Sequence, residues 1–259
     1  MNPPKIVAIM PAYNASKTIE QTFRDIPPGS VQECLVVDDV SADSTVEVAR
    51  KLGLRVFLHS ENQGYGGNQK TCYVEALKTG ADIVVMLHPD YQYDSGKIPE
   101  LVRPIIEDRA DVVLGSRMAY AVAGGMPLYK RIANRFLTWC ENKAFGLNLS
   151  EYHTGFRAFR RSFLETTPFL LNSNDFIFDQ EIIAQAVWFG ARIEEISVPH
   201  RYFPEASTIG FGRSVRYGLG VLRLLIAFLL NRNGLKSARM FRPLHHAYAE
   251  VPAGPSTDV

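Results

Sequence analysis

The sequence predicts an α/β fold with a mostly parallel central sheet and helices on both faces. Short apolar runs typical of buried strands alternate with helical segments of about 10–15 residues, the pattern of parallel sheets. The strand runs are apolar throughout, so we expect the sheet to be covered on both sides. Ligands of such folds bind beyond the carboxyl ends of the strands. Most of the polar residues considered below follow these predicted ends.

The first half of the chain supplies five predicted strands, with a helix after each of the first four. The strands are residues 5–10, 33–37, 54–58, 82–87 and 110–114. The helices are residues 16–26 with Ser16 as cap, 42–52, a helix from the glycine-rich loop 61–67 to Thr79, and 98–107. Gly53 and Gly80 directly follow two of these helices, where glycine commonly ends a helix.

The second half of the chain is less regular. We predict helices at residues 128–145 and 178–188, and strands at 153–160 and 191–198. The whole chain is divided into an α/β domain (1–212), a basic amphipathic helical segment (213–250) and a disordered tail (251–259). The N-terminus leads straight into a strand, which predicts no signal peptide.

The helical segment combines an apolar run with basic residues. Its longest apolar stretch, Val215–Leu230, is shorter than the roughly 20 residues of a membrane-spanning helix, and Arg216 and Arg223 interrupt it. No Asp or Glu occurs from Ser207 to Ala249. A narrow stripe carries Arg213, Arg216, Gly220, Arg223 and Ala227. The pattern is typical of a helix that lies in an anionic membrane interface or against a partner, and it is equally consistent with a helix packed on its own domain.

Composition and charge exclude several classes of protein. The 259 residues carry a net charge of +1, so we expect no nucleic-acid partner. The cysteines Cys34, Cys72 and Cys140 are far apart and have no zinc-site spacing, which suits a reducing cytoplasm. Cys34 and Cys72 fall in apolar patterns and are predicted to be small core residues.

Two acidic clusters follow predicted strands. Asp38 and Asp39 can accept hydrogen bonds from a base or ribose, reach a metal, or only support the turn. In the second cluster, the Asp90 carboxylate and the Gln92 amide oxygen provide hard ligands for magnesium, which also binds substrate phosphates. His88 suits a softer ion such as manganese, or simply donates a hydrogen bond. An ordinary strand-to-turn boundary is the competing interpretation.

The loop with Gly64, Gly66 and Gly67 does not directly follow a strand, and no ribose-binding acid is placed for a dinucleotide fingerprint. A dehydrogenase is therefore disfavoured, while a close approach of the Gly66 backbone to a ligand is expected.

Seven stretches in order resemble family 2 glycosyltransferases of the GT-A fold, particularly the branch that makes dolichyl- and polyprenyl-phosphate sugars. They are MPAYNASKTI at 10–19, VVDDVSADST at 36–45, NQGYGGNQKTCYVEAL at 62–77, HPDYQYD at 88–94, GSR at 115–117, TGFRAFRR at 154–161 and FDQE at 178–181. Together they cover about residues 5–205.

The resemblance implies a set of site residues and a metal, Mg²⁺ or Mn²⁺. Asp90 matches the second acid of the family's Asp-x-Asp motif, the metal ligand, and Gln92 matches a further residue at the metal. Arg117 and Arg131 would bind an acceptor phosphate, and Glu181 matches an acid on the acceptor side. The nucleotide-sugar pocket would contain Pro11, Tyr13, Asn14, Asp38, Asp39, Gly66, Asp90 and Gln92.

The sequence departs from the family pattern at three places. His88 replaces the first acid of Asp-x-Asp, Val40 replaces the usual glycine after the Asp pair, and residues 200–208 read HRYFPEAST where the family has an Arg-x-x-Gly-x-Ser-Lys loop. Arg201 is a candidate for that missing arginine. These departures are also compatible with a site that binds no metal.

The resulting hypothesis is metal-assisted, inverting transfer from a UDP- or GDP-sugar to polyprenyl or dolichyl phosphate. The protein would be peripheral on the cytoplasmic face of a membrane, and a homo-oligomer is a further possibility. A soluble sugar or glycan hydroxyl is the second candidate acceptor, which needs a base such as Asp179 or Glu181. The departures are also compatible with a non-catalytic nucleotide-sugar binding protein, and a nucleotidyltransferase is the least favoured class.

Overall fold

The computed structural model describes residues 3–201 and 211–243. Its strands are β1 Ile6–Ala12, β2 Glu33–Asp38, β3 Arg55–Leu58, β4 Ile83–Met86, β5 Val112–Ser116, β6 Arg157–Arg160 and β7 Ile193–Ser197. They form one seven-stranded sheet in the order β3-β2-β1-β4-β6-β5-β7. β6 runs antiparallel to both β4 and β5, and the other neighbours are parallel. The predicted mostly parallel sheet is confirmed.

Helices cover the sheet on both sides. They are α1 Ile19–Arg24, α2 Thr45–Lys51, α3 Gly64–Lys78, α4 Ile98–Ile106, α5 Leu128–Phe145, α6 Arg161–Thr166, α7 Phe178–Trp188 and α8 Phe211–Arg232. One core cluster joins the sheet to α1, α2 and α4, and the other joins it to α3 and α5–α8. The architecture is therefore a three-layer sandwich, as the apolar strands predicted.

Strand β1 shows why the strands are apolar on both sides. Val7 and Ile9 point into one core cluster, while Ala8 and Met10 point into the other, and all four are fully buried. Side chains alternate between the faces of a strand, so a strand with helices on both sides has no solvent-facing position.

The buried cysteines also fit this core. Cys34 and Cys72 are buried and unoxidised, as predicted, and burial raises the pKa of the Cys34 thiol to about 12. At that pKa the thiol stays protonated at neutral pH and behaves as a small apolar side chain.

The predicted start of the first helix is wrong by three residues. α1 begins at Ile19, and Ser16 does not cap it. Instead the Ser16 backbone N–H donates to Asp43 Oδ2 at 3.1 Å, and the Ala15 N–H donates to Thr45 Oγ1 at 2.8 Å. Side chains from the β2–α2 loop and from the first residue of α2 thus hold the β1–α1 loop in place.

Helix α3 begins inside the predicted glycine-rich loop. Gly64 is its first residue, in a left-handed conformation with φ +79°. A side chain at Gly66 would come within 2.4 Å of the Ser173 carbonyl oxygen, and the Gly66 N–H donates to the Asn174 carbonyl at 2.8 Å. The close approach expected here is made by the protein's own backbone, which lets α3 pack directly on residues 173–174.

Helix α8 is longer than its apolar stretch. Val221, Leu224, Leu225 and Phe228 on its inner face are buried in the core shared with α5 and α7. Its outer face remains exposed. The helix segment Gly212–Arg232 is long and apolar enough to cross a membrane by length and composition alone, so the sequence-based length argument against spanning does not hold.

Residues 202–210 and 244–259 lie outside the described part of the chain. This includes the predicted tail 251–259 and all but the first two residues of the HRYFPEAST stretch.

Candidate active site

The predicted site residues gather at one edge of the sheet. β1, β2, β4 and β5 are mutually parallel, so the loops that follow them meet there. β6 is antiparallel, so the residues that precede it, 151–156, arrive at the same edge. The site is therefore assembled from loops after four strands and from the loop before a fifth.

The two acids after β2 support neighbouring backbone. Asp38 accepts hydrogen bonds from the Ser41 N–H at 3.0 Å and the Ser41 hydroxyl at 2.5 Å. Asp39 accepts from His59 Nδ1 at 2.7 Å and from the N–H groups of Gln63 and Gly64 at 2.8 and 3.0 Å. Asp39 thereby stabilises the start of α3. A carboxylate has about four acceptor positions, so both retain capacity for a nucleotide, and that assignment stays a prediction.

The residues after β1 form the adjacent wall. Pro11 extends β1 beyond the end of its pairing with β4, so the missing proline N–H leaves no gap in that ladder. The Tyr13 side chain is 58% exposed. Asn14 has φ +51° and bridges to the next loop, since its Oδ1 accepts from the Ala42 N–H at 2.8 Å. The structure places these residues beside Asp38. Gly66 is packed against residues 173–174 instead.

The loop after β4 presents Asp90. Its Oδ1 accepts the Gln92 N–H at 3.1 Å, and no cationic side chain within residues 3–201 and 211–243 forms an ion pair with it. Loss of hydration raises the pKa of this carboxyl above its usual value, although His88 opposes the shift. A recessed carboxylate without a counter-charge fits a divalent cation as ligand. Tyr91 has φ +60°, a strained conformation that turns the loop here.

His88 is held by a buried hydrogen-bond network. The Tyr65 hydroxyl donates to Asp179 Oδ2 at 2.7 Å and lies 3.0 Å from His88 Nε2. Because the single hydroxyl hydrogen goes to Asp179, His88 Nε2 is the donor in the second bond. The ring edge with Cδ2 and Nε2 rests on Gly155, where a Cβ would come within 2.4 Å. Burial lowers the pKa of His88, so the ring is neutral at pH 7.

This arrangement leaves His88 Nδ1 as a lone-pair donor. It lies on the ring edge opposite Gly155, and no hydrogen bond to it is formed by the part of the chain that the structure describes. Metal-binding histidines commonly donate one ring N–H to a protein group and ligate through the other nitrogen. His88 therefore fits a metal ligand chemically.

Gln92, also in the loop after β4, is paired with His200, which follows β7. Gln92 is buried, and its Oε1 accepts from His200 Nε2 at 3.0 Å. The amide oxygen has a second lone pair that suits a hard cation. Over the described ranges 3–201 and 211–243, no group of three or more His, Cys, Asp or Glu side chains could hold a metal. A cation here would depend on Asp90, the neutral groups and substrate phosphates.

Arg117 is tightly paired. Its guanidinium contacts the buried Glu151 carboxylate, with Nε at 3.0 Å from Oε1, and it also donates to the His153 carbonyl. The backbone N–H of Arg117 donates to Glu151 Oε2 at 2.6 Å, and Asn134 Nδ2 donates to Glu151 Oε1 at 2.7 Å. Arg117, which we expect to bind the acceptor phosphate, is thus oriented by the buried Glu151 carboxylate. Its phosphate-binding role stays a prediction.

Further positive charge lies beside Arg117. Burial and the Arg117 charge lower the pKa of Lys130, in the first turn of α5. Burial, with Arg117 and Lys130 nearby, lowers the pKa of His200 to about 3. Arg131 follows in the same turn, and its buried Nε forms no hydrogen bond with the described residues. This concentration of like charge favours an anionic ligand.

The two carboxylates of α7 are both engaged. Asp179 accepts from Tyr65 and, at 3.0 Å, from Gln69 Nε2, and it forms a 3.2 Å ion pair with the buried Arg157. Glu181 Oε2 accepts the Ser173 N–H at 2.6 Å, and burial raises the pKa of Glu181. Glu181 thus points to the segment that packs on α3, while Asp179 is joined to His88 through Tyr65.

Several site residues were missed by sequence reasoning. Glu151, Tyr65, Lys130 and His200 contact or adjoin the predicted residues through long-range pairs that spacing does not reveal. A weak signal existed for Glu151, because an acid three residues before the motif TGFRAFRR stands close to a strand that must be buried on both faces.

Comparison with known proteins gives the family and the fold. Residues 7–167 match the sequence profile described as Glycosyl transferase family 2. The chain is 30% identical over 199 residues to the dolichyl-phosphate hexose transferase of Haloferax volcanii, covering 76% of this chain and 82% of that protein. It is 26% identical over 207 residues to the undecaprenyl-phosphate mannosyltransferase of Micrococcus luteus, covering 75% and 82%.

Among solved structures, glucosyl-3-phosphoglycerate synthase from Mycobacterium tuberculosis is similar in fold. Its complex with Mn²⁺, UDP-glucose and phosphoglyceric acid superimposes with a TM-score of 0.67 at 20% identity, covering 96% of this chain and 88% of that chain. This confirms the GT-A arrangement of the sheet and helices. Since the family profile spans more than half of the 259 residues, the chain belongs to glycosyltransferase family 2 and is a glycosyltransferase.

Proposed function

We propose that this enzyme transfers a sugar, with inversion, from a UDP- or GDP-sugar to a polyprenyl or dolichyl phosphate, assisted by a divalent metal. The observation that carries the choice of acceptor is how the two candidate bases are placed. Asp179 is held by an ion pair with Arg157 and by hydrogen bonds from Tyr65 and Gln69, and Glu181 points to Ser173, in the segment that packs on α3. An acceptor that needs no base suits this site.

A phosphate monoester is such an acceptor. Its second pKa is about 6, so it is already a dianionic nucleophile at neutral pH. A sugar hydroxyl needs a base within hydrogen-bond reach. The relatives named for dolichyl phosphate and undecaprenyl phosphate support the same choice.

Arg117 and the basic residues at the start of α5 would hold the acceptor. Arg117 is oriented by Glu151, and Lys130 lies close enough to Arg117 for their charges to interact. Arg131 adds a guanidinium on the same turn of α5. Charge-assisted hydrogen bonds from these groups would orient the phosphate oxygens toward the donor sugar.

The donor would occupy the adjacent loops. Asp90, the Gln92 amide oxygen and His88 Nδ1 are the groups that would hold the metal. A bound Mg²⁺ or Mn²⁺ supplies neutralisation of the leaving nucleoside diphosphate. The exposed Tyr13 and the half-buried Pro11 would provide a surface for the base, and Asp38 and Asp39 have acceptor positions for base or ribose N–H and O–H groups.

Membrane association would bring the lipid to this site. The exposed outer face of α8 carries Arg216 and Arg223 with Val215, Leu219 and Ile226. We place the protein on the cytoplasmic face, with α8 lying in the interface because its inner face is packed on the domain.

The deciding experiment is a transfer assay with purified protein, Mn²⁺ or Mg²⁺, and a panel of radiolabelled UDP- and GDP-sugars. Each donor is offered with polyprenyl phosphate, with the corresponding polyprenol, or with no acceptor. We expect metal-dependent label in the lipid fraction with the phosphate alone. Asp90→Asn should abolish it. Asp94→Asn should retain it, because the Asp94 carboxylate caps a turn by accepting the Gly96 N–H at 3.0 Å and has no other hydrogen bond among residues 3–201 and 211–243.

A soluble acceptor is the second candidate. The observation that favours it is the fold similarity to a synthase whose complex contains phosphoglyceric acid, another phosphorylated acceptor. Label transferred to small phosphorylated or glycan acceptors, with none in the lipid fraction, would establish this second candidate. Donor binding without turnover on any acceptor would support a binding protein, for which His88 and Val40 are the motivating departures.

A further inference from the structure

Four polar side chains meet inside the protein where α5, α7 and α8 converge on the loop before β6. They are Glu141 of α5, His153 of that loop, Gln180 of α7 and Tyr217 of α8. The core that joins these helices to the sheet is otherwise built largely from apolar side chains. A polar cluster in such a place calls for an explanation, because each buried polar group must be compensated.

The ring of His153 is held at both of its nitrogens. Nε2 lies 3.1 Å from Glu141 Oε2, and Nδ1 lies 2.9 Å from the Tyr217 hydroxyl. The Gln180 amide nitrogen donates to the Tyr217 hydroxyl oxygen at 2.7 Å and to the Tyr152 carbonyl at 3.2 Å. Because Gln180 supplies a hydrogen to that oxygen, the Tyr217 hydrogen is available for His153 Nδ1. The hydrogen of the neutral ring then lies on Nε2, on the side of Glu141.

The Glu141 carboxylate depends on this histidine. Glu141 is fully buried, and apart from the His153 contact no group of residues 3–201 and 211–243 donates a hydrogen bond to either of its oxygens. No Lys or Arg in these ranges forms an ion pair with it. A buried carboxylate is costly without such partners. The imidazole of His153 is therefore the group that compensates Glu141.

The backbone of His153 supports Arg117. Its carbonyl oxygen accepts a hydrogen bond from Arg117 Nη2, and the same nitrogen contacts Glu151 Oε1. The guanidinium thus has two supports on one short loop, the carboxylate at 151 and the carbonyl at 153. The position of that carbonyl depends on where His153 is held, and the ring of His153 is held from α5 and α8.

Stability alone does not account for this cluster. A buried ion pair contributes little net stability relative to apolar side chains of the same size, because both of its groups lose their hydration. Directional contacts to two helices do fix the orientation of the His153 ring, which apolar packing does less strictly. The cluster is therefore better explained by the orientation that it imposes on the loop before β6.

We propose that Glu141, His153 and Tyr217 are positioning residues for the acceptor site. They fix the carbonyl that supports Arg117 and thereby set the affinity for the acceptor phosphate, although none of the three has to touch the substrate. This inference rests on the proposed function, in which Arg117 binds that phosphate. It adds to the acceptor site a support that begins on α5 and α8.

Tyr217→Phe tests the proposal through the loss of one hydroxyl. Tyr152→Phe is the matched control, because the Tyr152 hydroxyl bonds to Asn142 Oδ1 at 2.9 Å and takes no part in the cluster. In protein with isotope-labelled arginine, the variant Arg117→Lys identifies the Nε–H resonance of Arg117. We expect Tyr217→Phe to shift this resonance and speed its exchange with solvent, while Tyr152→Phe leaves it unchanged.

Kinetics separate positioning from general damage to the fold. We expect Tyr217→Phe to raise the KM for lipid phosphate about fivefold, within the contribution of one hydrogen bond, with kcat and donor affinity in the presence of Mn²⁺ near those of the wild type. Tyr152→Phe should leave this KM unchanged, and thermal melts confirm that both variants fold. An equal rise of KM in both variants would overturn the proposal. So would an Arg117 resonance that Tyr217→Phe does not move, or one that moves while the KM stays constant.

Glu141→Gln removes the charge at the other end of the cluster. Because Glu141 and Tyr217 both act through His153, we expect the variant with both changes to raise the KM by less than the product of the two single effects. Multiplying effects would contradict a common route through His153. The resonance is read without substrate. If it responds to Tyr217→Phe alone while even the wild type transfers no sugar to lipid phosphate, the proposed function fails and the support of Arg117 by this cluster stands.

Discussion

The hydroxyl of Tyr65 lies between His88 and Asp179, 3.0 Å from Nε2 of the first and 2.7 Å from Oδ2 of the second. The Tyr65 and His88 rings also stack, with centroids 5.4 Å apart. Where the family pattern has an acid, this chain thus has an imidazole whose tautomer is fixed by a neighbour on α3. The departure at position 88 comes with its own supporting group.

Tyr65→Phe tests whether this support matters to the metal. Removal of the hydroxyl deprives His88 Nε2 of its partner and frees the ring to rotate. Since such supporting groups change metal affinity by about 10–100-fold, we expect Mn²⁺ binding to weaken about tenfold. Isothermal titration measures the affinity, and pulsed EPR detects histidine nitrogen coupling to Mn²⁺.

The matched control is Tyr73→Phe, because the Tyr73 hydroxyl bonds only to Gln69, at 3.3 Å, in the part of the chain that the structure describes. A wild-type Mn²⁺ spectrum without nitrogen coupling would remove His88 from the ligand set, and Tyr65→Phe would then leave the affinity unchanged.

Asp90→Asn should separate metal binding from stability. The pKa of Asp90 is raised by loss of hydration, so the charged form is less favourable in the folded protein than in the unfolded chain. Above the unfolded pKa this carboxylate therefore lowers stability, and the cost is relieved as the pH falls through the raised folded pKa. We expect the metal-free variant to melt at a higher temperature than the metal-free wild type while it loses Mn²⁺ binding and transfer.

The raised pKa of Asp90 also predicts how metal affinity depends on pH. Protonation of Asp90 competes with the metal, and a raised pKa moves this competition to higher pH than for an ordinary aspartate. Mn²⁺ affinity of the wild type should therefore decline on acidification before that of a site with unperturbed carboxylates. A lower melting temperature for metal-free Asp90→Asn would contradict the assigned cost of burial.

Arg117→Ala and Arg131→Ala should differ in stability. Loss of Arg117 leaves the buried Glu151 carboxylate without its counter-charge, which costs about 3–5 kcal/mol of unfolding free energy. Loss of Arg131 breaks no ion pair among the described residues. Arg131→Ala is thus the cleaner probe, and we expect it to raise the KM for lipid phosphate about tenfold, equivalent to about 1.4 kcal/mol.

Arg50→Ala is a control for loss of an exposed positive charge, because Arg50 lies on α2 away from this cluster. Denaturant titration gives the stabilities, and initial rates at varied lipid phosphate give the KM values. Equal stability of Arg117→Ala and wild type would show that the Arg117–Glu151 pair is not a net contributor.

Val40→Gly should stabilise the fold. Val40 has φ +66°, a conformation that is costly for a β-branched residue and free for glycine. Strain of this kind amounts to about 1–3 kcal/mol, and the greater freedom of glycine in the unfolded chain offsets part of it. We expect a net gain of about 1 kcal/mol and a rise of about 2–4 °C in melting temperature.

Val122→Gly is the comparison, since Val122 is 73% exposed and is not among the described residues with positive φ. This change should leave the melting temperature unchanged or lower it. A fall with Val40→Gly would mean that contacts of the valine side chain outweigh the backbone strain.

The sequence was sufficient for the regular part of the fold. Helices α5 and α7 have the predicted bounds, because their apolar spacing and the glycines that follow them, Gly146 and Gly190, are local properties. The strands lie within or near the predicted runs. The start of α1 was wrong because Ser16 bonds to Asp43 on another loop, and the start of α3 was misjudged because the Asp39 carboxylate supports it from a distance.

The site was predicted in position more than in detail. Asp90 and Gln92 were recognisable because they follow a buried strand. The partners of Arg117 and His88 were not, since Glu151 is 34 residues from Arg117 and Tyr65 is 23 residues from His88. Pairs of this kind depend on how strands and helices cross at the sheet edge, which spacing along the chain does not encode.

The reversed direction of β6 constrains how this enzyme can be altered. The segment before β6 provides Gly155, which leaves room for the His88 ring, and Glu151, which orients Arg117. The donor side and the acceptor side of the site therefore both depend on the segment before β6. A graft of residues 117–156 from a relative would also replace the backbone at Gly155 on which the His88 ring rests. Acceptor preference therefore cannot be exchanged without changing the surroundings of residue 88. Successful chimaeras should exchange positions 65 and 88 together with that segment.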